Sequence, residues 1–191
     1  MTRAIPVLLL LVLLLGACTI AGSGTGGAAS SDEASVEPTT TTLPDLGPSR
    51  GLHNIDGWLQ SDVTSLDELL GKVVVVQFWT FGCHNSQATL PNLSGLYAEH
   101  AGEDFEIVGI HSPEFDYESR PDAILDAARD LGVTWPIVLD TEKDTFWAWQ
   151  DSPAYWPRTY VLDRDGRIRF DHIGEGKYDE LNDVVAALLG A

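Results

Sequence analysis

The residue with the most chemistry within its reach is Cys83. It lies in the segment Phe78-Trp79-Thr80-Phe81-Gly82-Cys83-His84-Asn85-Ser86, directly after the apolar run Val73 to Val76. That order predicts a thiol placed where a buried strand gives way to a helix. Helix N-termini offer unpaired N–H groups and a partial positive charge, which favour thiolate over thiol, and the thiolate is the nucleophile. His84 would add positive charge when protonated; the alternative is an exposed first-turn residue with no role. Ser86 occupies the next position on the same helix face, and its hydroxyl could hydrogen-bond the Cys83 sulfur. A hydroxyl can neither attack a disulfide nor close one. Farther along, Trp156-Pro157 directly precedes the apolar strand Thr159 to Leu162. The chemistry to expect is therefore that of one thiol.

The other cysteine, Cys18, belongs to a different kind of segment. Residues 1–17 read as a secretory signal, with Arg3 near the start, an apolar stretch from Ile5 to Leu15, and then small residues. The stretch falls short of the roughly 20 apolar residues of a comfortable membrane span. Leu15-Gly16-Ala17-Cys18 resembles the bacterial lipobox, in which the cysteine is lipidated and becomes the new N-terminus. That resemblance implies a lipid anchor at Cys18, a place on the extracytoplasmic face of a bacterial cell membrane, and Cys83 as the remaining free thiol. In such an oxidising compartment an unpaired thiol is unusual.

Residues 18–50 are rich in Gly, Ser, Ala, Thr and Pro, with Thr39 to Thr42 as a run. This composition buries too little apolar surface to offset ordering entropy and reads as a disordered tether. A flexible tether of about 30 residues spans on the order of 30 Å. Residues 51–191 make one domain. The chain carries 11 basic and 29 acidic residues, a net charge of −18, which argues against nucleic acid and against direct binding to anionic headgroups.

The elements that must position Cys83 alternate. Val73 to Trp79 reads as a central buried strand, and the segment from Cys83 to about Ala101 as a helix with Leu90, Leu93 and Tyr97 on one face. Glu106 to His111 is a strand, Pro121 to Leu131 a helix with Pro in its first turn, and Ile137 to Leu139 a short strand. Thr159 to Leu162 and Ile168 to Ile173 form a hairpin across Asp163-Arg164-Asp165-Gly166, and Tyr178 to Leu189 is a closing amphipathic helix. Ile55 to Leu59 suits an edge strand and Ser65 to Leu70 a short capped helix. The pattern predicts an α/β fold, a sheet covered on both faces.

With these pieces in order, the chain resembles the thioredoxin superfamily, specifically the extracytoplasmic TlpA/ResA type and the C-terminal domains of DipZ-like proteins. The resemblance runs from Leu52 to Leu188. It is carried by Val75-Val76-Gln77-Phe78-Trp79-Thr80-Phe81-Gly82-Cys83, Ala88-Thr89-Leu90-Pro91, Gly109-Ile110-His111-Ser112-Pro113-Glu114-Phe115, and Tyr155-Trp156-Pro157-Arg158-Thr159 through Asp163. It implies a three-layer sandwich with a central mixed sheet flanked by helices. It also implies Cys83 as nucleophile, Pro157 as the cis-proline facing it, Trp156 as a backbone contact for bound peptide, Trp79 beneath the motif, and Pro91 as a helix kink. Two positions depart from the pattern. Ser86 stands where the resolving cysteine belongs, and Gly82 replaces a common tryptophan.

A dithiol site attacks with one cysteine and releases its product with the other. With Ser86 the release needs a thiol from outside. The function expected is monothiol exchange or isomerisation, with protein thiols or disulfides or a small-molecule thiol as partners. A monomer without cofactor or metal is expected, and the scattered histidines give no metal spacing. Two alternatives stand beside this. Thr80-Phe81-Gly82-Cys83 has the Thr-x-x-Cys spacing of AhpC/TSA peroxiredoxins, although Val76 replaces their upstream proline. The domain could also bind peptides without exchange chemistry. Glu114 or Asp140 could be the proton-handling carboxylate that some thioredoxin-like enzymes keep near the second cysteine, but with that cysteine absent both read as surface or turn residues, and Arg158 either approaches the site or is a hairpin surface charge.

Overall fold

The computed structural model describes residues 42–190. The expectations for residues 1–17, for Cys18 and for most of the tether lie outside them. Strand β2 (Val73–Trp79) is buried along its entire length, as a run of β-branched and aromatic residues demands. It sits at the middle of one six-stranded sheet whose order is β1-β4-β3-β2-β5-β6. The other strands are β1 (Gly57–Leu59), β3 (Phe105–His111), β4 (Ile137–Leu139), β5 (Arg158–Leu162) and β6 (Ile168–Ile173). β2 pairs parallel with β3 and antiparallel with β5; β3 and β4 run parallel, while β1 and β6 close the edges antiparallel. The mixed sheet of the expected fold is present.

Alternation along β2 divides the core into two layers. Val73, Val75 and Trp79 pack with Leu90 and Leu93 of helix α1 (His84–His100) and with Leu181 and Val185 of α4 (Tyr178–Leu189). Ile124 and Ala128 of α2 (Pro121–Leu131) join that layer. Val74, Val76 and Phe78 face the other way, onto Leu66 and Leu69 of a short 3₁₀ turn and Phe146 and Trp149 of α3 (Asp144–Trp149). Pro91 lies inside α1 as expected, and Ser65 caps the 3₁₀ turn by accepting from the Asp67 N–H.

Two features depart from the sequence reading. Helix α3 was not expected. Its six residues are half aromatic, a composition with little intrinsic helix preference, and its first turn is held from outside by Asp140. The tether, read as ending at residue 50, also stops short of that point. Leu46 N–H donates to the Ile168 carbonyl (2.9 Å), Ile168 N–H to Gly47 (2.8 Å) and Ser49 N–H to Gly166 (2.8 Å). Residues 46–49 thus lie along β6, and Leu43 packs against the α4 layer. Composition missed this because the bonds are made by backbone groups, which every residue type supplies.

Candidate functional site

The parallel pairing of β2 and β3 sets Trp79 opposite His111, so both strands end together and their following loops share one edge of the sheet. Ligand sites of open α/β sheets form at such carboxyl ends. The loop after β2 delivers Cys83, which is the N-cap of α1, with extended backbone (φ −84°, ψ 118°) and no side-chain cap. Its sulfur is half-buried and unpaired. It lies 3.9 Å from the Trp156 carbonyl oxygen, which can accept from the thiol. The Trp156–Pro157 peptide bond is cis. The structure thus brings Cys83, Trp156 and Pro157 together, from positions more than seventy residues apart.

His84 and Ser86 fare differently. His84 is exposed at the helix start. Ser86 is fully buried, and its hydroxyl accepts from the Thr80 N–H at 3.4 Å rather than from the Cys83 sulfur. The expected Ser86–Cys83 hydrogen bond is absent, because Ser86 points inward, into the turn that carries the motif. Arg158 does not approach the thiol either. It makes a two-pronged pair with Asp171 across the hairpin (Nε–Oδ1 2.7 Å, Nη2–Oδ2 2.6 Å) and lies over the Tyr160 ring.

Trp156 is fixed from beneath. Its ring stacks on Phe146 with centroids 4.3 Å apart, and its Nε1–H donates to the Ser112 carbonyl at 2.8 Å. Ser112 Oγ donates to Asp140 Oδ2 at 2.7 Å. The Asp140 carboxylate also accepts the N–H groups of Thr145 (3.0 Å) and Phe146 (2.9 Å). Burial pushes the Asp140 carboxyl above the usual range, while these donors act against that rise. Asp140 therefore orders the first turn of α3 and, through Ser112, the indole of Trp156. Of the surface or turn roles expected for it, Asp140 has the turn role and, at 1% exposed, not the surface one.

Two groups at the site escaped the sequence reading. Buried Glu118 accepts the Gly82 N–H through Oε1 at 2.7 Å, one residue before the nucleophile. A Cβ on Gly82 would stand 2.1 Å from that oxygen and 2.3 Å from the Tyr117 hydroxyl. A larger residue at 82 would have to displace the Glu118 carboxylate and the Tyr117 hydroxyl. The absence of the common tryptophan at position 82 was the available signal. His111 is the second group. Only 1% exposed, it stacks under Phe81 and meets the edge of Trp79, with Nε2 3.5 Å from the Thr80 hydroxyl. Burial pushes its pKa down to about 4, against the opposing pull of Glu118. The ring is neutral at neutral pH.

Residues 52–171 match the AhpC/TSA family. The chain belongs to that family. Among AhpC/TSA relatives, the DipZ protein of Mycobacterium tuberculosis is 33% identical over 150 residues, which cover 77% of this chain and 21% of DipZ. The thiol-disulfide oxidoreductase YkuV of Bacillus subtilis is 26% identical over 118 residues, covering 61% of this chain and 77% of YkuV. The crystal structure of a thioredoxin-like superfamily protein superposes with a TM-score of 0.67 at 21% identity, over 76% of this chain and 97% of that one. The thioredoxin-like fold is thereby established. The chain spans about a fifth of DipZ, so nothing of the remainder of that protein transfers to it. Among the described residues no helix is long and apolar enough to cross a membrane, and no cluster of His, Cys, Asp and Glu is placed to hold a metal.

Proposed function

We propose that this AhpC/TSA-family chain is a thiol–disulfide oxidoreductase that works through Cys83 alone, anchored by a lipid on Cys18 at the outer face of a bacterial membrane. The observation that carries the exchange reading is the half-buried Cys83 sulfur at a helix N-cap, facing the Trp156 carbonyl of a cis Trp156–Pro157 peptide. An extended polypeptide laid along that carbonyl would place its own sulfur in reach. The Cys83 thiolate attacks one sulfur of the partner's disulfide. A Cys83–partner bond forms, and the partner's other sulfur leaves as thiolate. An external thiolate then attacks the partner sulfur of the mixed disulfide and expels Cys83 as thiolate. The external sulfur stays joined to that partner sulfur in a new disulfide, the partner's other sulfur remains reduced, and Cys83 ends unchanged. The name of YkuV supports the same class of reaction.

The lipobox-like Leu15-Gly16-Ala17-Cys18 supports the anchor. The peroxidase alternative draws on Thr80, whose hydroxyl is fully buried and directed at His111, so it is not preferred. The test is capture in membrane fractions under non-reducing conditions. Wild type should form adducts that reductant dissolves, Cys83→Ser should form none, and Cys18→Ala should move the adducts to the soluble fraction. Equal capture by Cys83→Ser would leave only a non-covalent peptide-binding module.

A further inference from the structure

The segment from Ser112 to Arg120 joins β3 to α2 and passes over the residue preceding the nucleophile. Glu118 fastens it there. While Oε1 holds the Gly82 N–H, Oε2 accepts the N–H groups of Glu114 (2.7 Å) and Phe115 (2.9 Å). A carboxylate with three such donors makes charge-assisted bonds that fix their geometry. The backbone it fixes carries a pair of aromatic rings that face solvent. Phe115 is 52% exposed and Tyr117 58%. The rings stack at 5.8 Å with an interplanar angle of 8°, and Tyr117 meets the Phe81 ring at 5.9 Å. The Tyr117 hydroxyl lies against Gly82, directly beside Cys83. Between and before the rings stand Asp116 and Glu114, both exposed.

Stacked on each other, the two rings still leave more than half of their surface in water, and such patches mark interaction surfaces. We propose that Phe115 and Tyr117 form a shelf that selects the partner of Cys83. The occupant is a polypeptide segment whose sulfur is flanked by an apolar side chain, which covers the rings, and by Lys or Arg, which meets Glu114 and Asp116. Contiguity with the nucleophile argues for the first feature. The acidic residues alternating with the rings, on a chain of net charge −18, argue for the second. The proposal rests on the exchange reading of Cys83.

The test uses the full chain and three tripeptides, Lys-Phe-Cys, Lys-Ser-Cys and Glu-Phe-Cys, each as its mixed disulfide with 2-mercaptoethanol. The rate of adduct formation at Cys83 is read by mass spectrometry and divided by that of free cysteine with the same peptide. Lys-Phe-Cys should react about tenfold faster than Lys-Ser-Cys, equivalent to about 1.4 kcal/mol. It should also react roughly threefold faster than Glu-Phe-Cys at low salt, with the second ratio shrinking at high salt. Phe115→Ser with Tyr117→Ser should bring the first ratio within about twofold of unity, on a scale where one tenfold step is 1.4 kcal/mol. Phe115→Leu with Tyr117→Leu should restore most of it, and Leu125→Ser, on α2, should leave both ratios unchanged. A ratio near unity in wild type, or one that survives the double serine variant, overturns the shelf while leaving exchange intact. Failure of Cys83 to react with any of the three overturns the exchange reading and the shelf with it.

Discussion

At the scale of single residues, the site differs from a two-cysteine exchanger by one atom, the Ser86 oxygen. Ser86 follows Cys83 by three positions and is fully buried, and residues so spaced on a helix are neighbours with Cβ atoms about 5–6 Å apart. Cys83 is the N-cap, with extended backbone (φ −84°, ψ 118°), so the helical spacing alone does not set its distance from Ser86. Ser86→Cys should close an intramolecular bond under oxidation. Intact-mass measurement would then show the loss of two hydrogens, and mixed adducts should no longer accumulate on Cys83. Persistent adducts in that variant would mean that the geometry, and not the missing sulfur, blocks release. His111 makes the second residue-scale prediction. Its pKa in the fold, about 4, lies below the ordinary 6.5. Between these values the unfolded chain binds more protons, so stability is full above pH 6.5 and is lost as pH falls towards 4. The loss should approach roughly 3 kcal/mol. Asp140 has the opposite sign, since its raised carboxyl favours the fold on protonation. Urea midpoints of wild type against His111→Asn across this window isolate the histidine: the variant should be flatter. Cys83, Trp156 and Pro157 were legible because each sits in a local run of recognisable order. Glu118 and His111 were not, because only the tertiary fold brings them, from β3 and the loop after it, to the turn that precedes Cys83.

At the scale of elements, the β2–β3 register depends on close approach at Gly109. A Cβ there would stand 2.8 Å from Trp79 Nε1 and 3.1 Å from Trp135 Nε1, both in fully buried indoles that have no room to withdraw. Gly109→Ala should cost about 1–3 kcal/mol by overpacking, seen as a lower denaturant midpoint with unchanged slope. Because Gly109 leads by two residues to His111, and His111 supports Phe81, the same variant should also slow alkylation or exchange at Cys83. An unchanged midpoint would show that the two indoles can move. The strands and long helices were legible through hydrophobic period and turn chemistry, down to the ends of α2 and α4. Helix α3 was not, since Asp140 holds its first turn from outside the helix. Asp140 lies only five and six residues before the N–H groups it accepts, so the cap was present in the local sequence but outside the usual N-cap spacing.

At the scale of the molecule, residues 42–50 belong to the fold. β6 is an edge strand, and unpaired edges recruit other strands. Here Leu46, Gly47 and Ser49 cover part of it with backbone bonds to Ile168 and Gly166, and Arg167 adds a pair with Asp45 at 2.8 Å. The ion pair is largely exposed and should contribute little. The three backbone bonds, at about 1 kcal/mol net each, should contribute about 2–3 kcal/mol together, and Leu43 adds apolar contact with the α4 layer. A chain beginning at residue 42 should therefore unfold at the same denaturant concentration as the full chain, and one beginning at residue 51 at a lower one. The shorter chain should also self-associate as its β6 edge opens, which sedimentation would detect, while Asp45→Ala in the longer chain should change neither property. Equal midpoints for the two truncated chains would return the segment to the tether that its composition first suggested. A lower midpoint without self-association would mean that Leu43 packing, and not edge cover, is what the segment supplies.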